Sequence, residues 1–212
     1  MRNDTGDLTF ASYKESGLQF RFDRDRWQIR KYDDHPYFQG FSGVGLKGVD
    51  FIGVLDDEKV FLMEVKNYKL HSGNQRTREI EQSLAAPQLI IDSVEQKFED
   101  TLSGLRAIHT YYLRKEKRFW VWLGTLLQAY IRRKKQVGEG AFWKKAGSLA
   151  NENLQLQLVL WLEVEQPYRE VAQQIEKGLH DREDLKAYSI LVYNQALHPA
   201  LEGLEVSIIQ GP

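Results

Sequence analysis

The sequence predicts an α/β fold, a central mixed sheet flanked by helices, and three stretches carry that prediction. KGVDFIGVLDDEKVFLMEVKNYK, residues 47–69, reads as a two-stranded hairpin that is apolar on both faces, as a strand pair covered on two sides must be. Over residues 88–113, Ile91, Val94, Phe98, Leu102, Leu105, Ile108 and Tyr112 recur at spacings of three and four, the stripe of one long helix. NLQLQLVLWLEVE, residues 153–165, sets Leu154, Leu156, Leu158, Leu160, Leu162 and Val164 on alternate positions, the clearest single strand in the chain.

The elements follow in order. Leu8, Phe10, Ala11, Tyr13 and Leu18 fit a short helix over residues 8–18, with Asp7 as its cap. Residues 26–32 alternate as a strand, and DDHPYFQGFSGVG, residues 33–45, has the proline and glycine content of a loop. The hairpin turns at Asp56, Asp57 and Glu58, and the polar HSGNQRTRE, residues 71–79, is expected to be a loop. Pro87 suits the first turn of the long helix.

Residues 114–152 read as a helix over 119–132, a basic run IRRKK and a glycine-containing connector, GEGAFWKKAGS. After the leucine-rich strand, Pro167 opens a helix striped by Tyr168, Val171, Ile175 and Leu179, and strands follow at 187–193 and 204–209. The expectation is one domain over residues 1–212, with a core at about 8–113 and 153–193, an insertion at about 114–152, and a C-terminal helix and strands.

Composition bounds the function. At 212 residues the chain is long enough for one sizeable core, and 42% hydrophobic with 28% charged residues is the balance of a folded globular protein. Its 29 basic and 30 acidic residues nearly cancel, so any nucleic-acid surface must be a local patch. The absence of cysteine excludes disulfides, thiolate metal ligands and thiol catalysis, and it suits the cytoplasm. The first residues lack the apolar core of a secretory leader, and FWVWLGTLLQAYI falls short of the roughly 20 residues that span a bilayer, so no membrane partner is expected. His35, His71, His109, His180 and His198 show no zinc-like spacing.

The hairpin carries the chemistry. Asp50 shares a face with Ile52 and Val54, and Glu64 shares one with Leu62 and Lys66. If Asp56, Asp57 and Glu58 form a three-residue loop, Leu55 pairs with Lys59 and Asp50 falls opposite Glu64. An even-numbered loop would send the two acids to opposite faces. Two carboxylates facing each other in an apolar setting need compensation, and a hard divalent cation, Mg²⁺ or Mn²⁺, is the simplest. Lys66 reaches the same space, where it can orient water or stabilise charge on a phosphate.

Gly48, Val49 and Asp50, an apolar hairpin, and then Glu64, Val65 and Lys66 resemble the PD-(D/E)XK nuclease superfamily, and the trailing EVKNYK is similar to its nuclease-related domain branch. Val49 stands at the nominal proline. The resemblance implies a restriction-endonuclease-like αβββαβ core and Mg²⁺-dependent phosphodiester hydrolysis. Asp50 and Glu64 would be metal ligands, the Val65 carbonyl a further ligand, and Lys66 the water-positioning group. Glu15 would be the glutamate that many members carry on the first helix, and Gln82 and Gln88 are candidates for a glutamine that some branches place on the following helix. Nucleic acid, DNA ahead of RNA, is the implied partner, and restriction-type enzymes often act as homodimers.

Around the site, Lys47, Asn67, Lys69, Arg76, Arg78 and Gln88 are the candidate nucleic-acid contacts, and Arg132, Arg133, Lys134 and Lys135 form a second basic cluster. Trp120, Trp122, Trp143 and Trp161 can stack bases or pack a core. The plain alternative for Asp50, Glu64 and Lys66 is a structural ion pair at a sheet edge. A catalytically inactive binding or assembly module of the same fold, and a hydrolase of other phosphate esters, are the rival functions.

Overall fold

The structure is a computed structural model, and it describes residues 9–43, 45–69, 74–113, 138–152, 155–194 and 201–209. The chain opens with β1 (Phe10–Glu15) and β2 (Leu18–Asp23), an antiparallel hairpin in which Glu15 pairs with Leu18 across Ser16 and Gly17. Both turn residues have positive φ, 49° and 77°, the two-residue turn whose twist matches paired strands and whose second position favours glycine.

The helix expected over residues 8–18 is therefore a strand that runs into this turn, with a second strand beyond it. Leu8, Phe10, Ala11, Tyr13 and Leu18 fit a helical stripe loosely. The Ser-Gly turn followed by alternating Leu18, Phe20 and Phe22, all fully buried, decides for the hairpin.

β3 (Trp27–Lys31), β4 (Phe51–Leu55) and β5 (Lys59–Asn67) form an antiparallel meander, and β6 (Leu156–Glu163) and β7 (Ser189–Tyr193) continue it in parallel. The result is a five-stranded mixed sheet in the order β3-β4-β5-β6-β7. The α/β class stands. A second sheet, in the order β1-β2-β8 with β8 at Leu204–Ile208, is separate from the first.

The helices are α1 (Pro36–Ser42), α2 (Asn74–Ala85), α3 (Pro87–Leu113), α4 (Glu139–Asn151) and α5 (Arg169–His180). Three of them replace expected loops: α1 lies within 33–45, α2 begins inside 71–79, and α4 takes up the connector GEGAFWKKAGS. In α4 the buried side chains Phe142, Trp143, Ala146, Leu149 and Ala150 recur at three- and four-residue spacing, a stripe that the glycines on either side disguise. The helix expected at 119–132 and the basic run that follows it lie outside the described residues.

The central sheet is not flanked by helices on both faces. On one face, Ile52, Val54, Leu62, Leu158 and Leu160 pack with Val94, Phe98 and Leu105 of α3, Trp143 of α4 and Ile175 of α5. On the other, Phe51, Phe61, Met63, Val65 and Trp161 pack against Leu18, Phe20 and Phe22 of the second sheet. That sheet-on-sheet layer is rich in aromatics: Phe20 meets Trp161 edge-on at 5.6 Å, and Trp27 lies 4.9 Å from Phe61. Two of the tryptophans considered for base stacking, Trp143 and Trp161, are thus core residues; Trp120 and Trp122 lie outside the described residues. Among the described residues, no helix is long and apolar enough to cross a membrane.

Candidate functional site

The β4–β5 turn sets the site. Leu55 pairs with Lys59, so the loop is the odd-numbered Asp56, Asp57 and Glu58, and Phe51 pairs with Met63. One residue further along that register, Asp50 stands opposite Glu64. Asp56 and Asp57 both take left-handed backbone, φ 49° and 60°, a conformation that aspartate tolerates better than most residues. Arg26 chelates the Asp56 carboxylate and Gln28 Nε2 donates to Asp57 at 2.9 Å, so β3 holds the turn that fixes the register.

The approach to Asp50 is equally constrained. Thr101 Oγ1 accepts the Val49 N–H at 3.0 Å, and Asp100 accepts the Lys47 N–H at 2.9 Å. A side chain at Gly48 would sit 2.7 Å from the Phe38 ring, so glycine is the residue that lets α1 close over this segment. Helix α3 thereby positions the residues before Asp50 through their backbone.

Asp50 is 8% exposed, and its Oδ2 accepts the Val65 N–H at 2.6 Å. Burial, with the charge of Glu64 next, pushes its carboxyl up to about 7, against the pull of that hydrogen bond and of Lys97. Glu64 is fully buried and holds two ammonium groups. Lys66 Nζ lies 2.8 Å from Oε1, and Lys97 Nζ spans both oxygens at 2.8 and 2.9 Å. Tyr68 is near enough that Glu64, after burial, adds to the upward shift of its phenol.

Two further acids approach Asp50. Glu15 ends β1 and Asp33 follows β3, and carboxylate oxygens of Glu15, Asp33 and Asp50 lie within 4.8 Å of one another. Lys31 Nζ bridges part of the group, 3.2 Å from Glu15, 3.7 Å from Asp33 and 3.0 Å from Asp34. Partial burial opposes the charge on Lys31, but Asp34 and Glu15 outweigh it and raise its pKa. Asp33 is shifted upward by burial, with Asp34 and Glu15 adding and Lys31 opposing.

Several expectations change here. Glu15 reaches the site from a strand, not from a helix. Asn67 follows Val65 onto the opposite face, where Nδ2 donates to the Ser16 carbonyl and Oδ1 accepts the Lys69 N–H, so both ends of its amide serve the fold. Lys69 is paired with the buried Glu163 at 2.7 Å. Gln88 donates to Asp92 on the side of α3 that Arg182 approaches, away from the face carrying Lys97. Lys47 and Arg78 have exposed side chains; Arg76 lies in α2, with its side chain outside what is described.

Asp33, Lys31 and Lys97 are the residues that sequence reasoning missed. Lys97 had a signal, since it lies three residues after Val94 and four before Thr101, on the face of α3 that is buried against the sheet. Asp33 had a weaker one, visible only once β3 is registered against β4: Lys31 pairs with Phe51, and the Tyr32 N–H donates to the Asp50 carbonyl at 2.8 Å.

The arrangement can hold a hard cation at the Asp50 end and present ammonium groups to an anion beside it. Comparison of the chain with protein-family models, with curated proteins and with solved structures finds no match to any of them.

Proposed function

We propose that the chain is a divalent-cation-dependent nuclease that hydrolyses phosphodiester bonds in DNA at the Asp50 end of the central sheet. The observation that carries this reading is the register, which sets Asp50 opposite Glu64 while Lys66 and Lys97 close on the glutamate from the same face. The fold supports it in part. With α1 set aside and α2 and α4 counted as additions to α3, the order β3, β4, β5, α3 and the parallel β6 follows the βββαβ portion of the implied core, whereas the leading helix has no counterpart among the described residues.

Asp50, Glu15 and Asp33 would hold Mg²⁺ or Mn²⁺, with Glu64 and the Val65 carbonyl as the further ligands that the resemblance implies. The donors fit in kind, being hard carboxylate oxygens, and nearly in span. Carboxylate oxygens of Glu15, Asp33 and Asp50, within 4.8 Å of one another, would converge on one small hard cation by side-chain rotation. Bound there, the cation supplies charge that acidifies a water and offsets the negative charge gathering on a phosphate.

The chain's own residues do the rest. Asp50, uncharged for part of the time near neutral pH, gives up its proton to become a ligand. Lys66 is tethered by Glu64 so that its ammonium can orient the attacking water and meet charge developing on the phosphate oxygens. The exposed Lys47 and Arg78 are left to hold flanking phosphates.

The test is cleavage of single- and double-stranded DNA and RNA in Mg²⁺ or Mn²⁺ by the wild type, Asp50→Asn and Lys66→Ala. Each variant is expected to lose about 100-fold or more. Activity that is equal in all three proteins, or that survives excess chelator, overturns the reading.

A second reading has its own observation. Two lysines on one buried carboxylate are what a structural ion-pair network would also contain, so a catalytically inactive binding module of this architecture is the rival. DNA binding that is indifferent to divalent cations, without cleavage, favours it.

A further inference from the structure

We infer that Lys97 is a built-in competitor for the divalent cation: its ammonium occupies the chelating edge of Glu64, and an ion can use that carboxylate only by displacing it. The inference rests on reading the Asp50 end as a divalent-cation site.

The two lysines on Glu64 differ in geometry. Lys66 touches Oε1 alone, whereas Lys97 lies within 2.8 and 2.9 Å of both oxygens, the position that a bidentate ligand offers to a cation. They also differ in origin. Lys66 is two residues from Glu64 on the same strand, so it stays in the neighbourhood whatever Glu64 binds. Lys97 comes from α3 and is 21% exposed, so its chain can swing toward the opening.

Glu64 is fully buried and must keep a cation in every state of the protein. With no divalent ion, Lys97 fills that role. When an ion takes the edge, two positive charges cannot share it, and the displaced ammonium is left beside the site with a free charge for a phosphate oxygen. Lys97 is therefore a positioning residue that sets how tightly the site takes its ion.

The experiment is calorimetric titration of MnCl₂ into chelator-stripped wild type, Lys97→Met, Lys97→Gln and Lys66→Met, with thermal melts of the same proteins with and without Mn²⁺. Removing a positive charge from beside a divalent ion is expected to tighten Mn²⁺ binding at least about tenfold in both Lys97 variants, and less in Lys66→Met, where the chelating edge stays covered. The Lys97 variants should also melt lower than wild type without Mn²⁺ and recover in its presence, because the buried Glu64 keeps only the Lys66 ammonium and its second oxygen has lost its charged partner. Damage to the fold alone would weaken Mn²⁺ binding, so tightening separates the two explanations. If Lys97→Met folds only with Mn²⁺, that outcome supports the inference. Detectable binding in wild type with equal or weaker binding in both Lys97 variants overturns the inference and leaves the cation site standing. No Mn²⁺ binding in any of the proteins overturns both.

Discussion

Replacing Asp50 by asparagine is expected to make the cation-free protein more stable, by an amount that grows as pH rises from about 4 to about 7. Its carboxyl is raised from 3.8 to about 7 by burial first and by Glu64 second. The folded chain therefore holds a proton there that the unfolded chain releases, so the contribution of Asp50 to stability is fully present below about pH 4. It is lost as pH rises toward about 7, because stability falls with pH wherever the folded state binds more protons. A rise of about 3 units at 1.36 kcal/mol each gives an upper bound of about 4 kcal/mol, and local relaxation reduces that to about 2–4 kcal/mol. In a 212-residue chain this corresponds to a Tm difference of roughly 4–16 °C.

Asparagine keeps the acceptor that takes the Val65 N–H and removes the charge, so the comparison isolates ionisation. Thermal melts in chelator should show Asp50→Asn well above wild type at about pH 8 and close to it only at or below about pH 4. Adding Mn²⁺ at the higher pH should then raise wild type and leave the variant nearly unmoved. A variant that is less stable than wild type at the higher pH, or equally displaced at both, would refute the account of Asp50 as a buried acid waiting for a cation.

Two further variants test how the site is held. Thr101→Val leaves the buried Val49 N–H without its 3.0 Å acceptor and should cost about 1–3 kcal/mol in chemical denaturation, with weaker Mn²⁺ affinity because Asp50 loses its anchor. Gly17→Val forces a β-branched residue to φ 77° beside Glu15 and should cost about 1–2 kcal/mol, whereas Gly17→Asn, which tolerates that conformation, should stay near wild type in the same melts.

What was legible in the sequence was legible for local reasons. The β4–β5 hairpin needs only the odd count of Asp56, Asp57 and Glu58 and the alternation on either side, and both are read within 23 residues, 47–69. The α3 stripe and the β6 leucines are equally self-contained. Errors arose where a short segment supported two periods. Residues 8–18 fit a helical stripe loosely, and the Ser-Gly turn inside them is what decides for two strands; Glu15 lies beside Asp33 and Asp50 from the end of β1. Asn67, Lys69 and Gln88 illustrate a different limit: a residue close to the site in sequence can sit on the other face of its strand or helix, where its polar atoms have partners within the fold. Asp33 depends on long-range register, which no local pattern states, and Lys97, although it falls on the buried stripe of α3, meets Glu64 only through the packing of that helix on the sheet.

The distribution of charge gives a reason for a cation at the Asp50 end. Lys66 and Lys97 both attend Glu64, and Lys31 attends Glu15, Asp33 and Asp34. Asp50 lies between these groups and has, among the described residues, no lysine or arginine within ion-pair distance. A fold selected only for stability would place an apolar or amide side chain there, since the Val65 N–H needs an acceptor and not a charge. Keeping an acid that must be protonated to be comfortable makes sense where something brings the missing charge, and the neighbouring oxygens of Glu15 and Asp33 are what such an ion would also use. Restoring ionised Asp50 to stability with Mn²⁺ is therefore the measurement on which the cation site depends, and it can be made whether or not the protein cuts DNA.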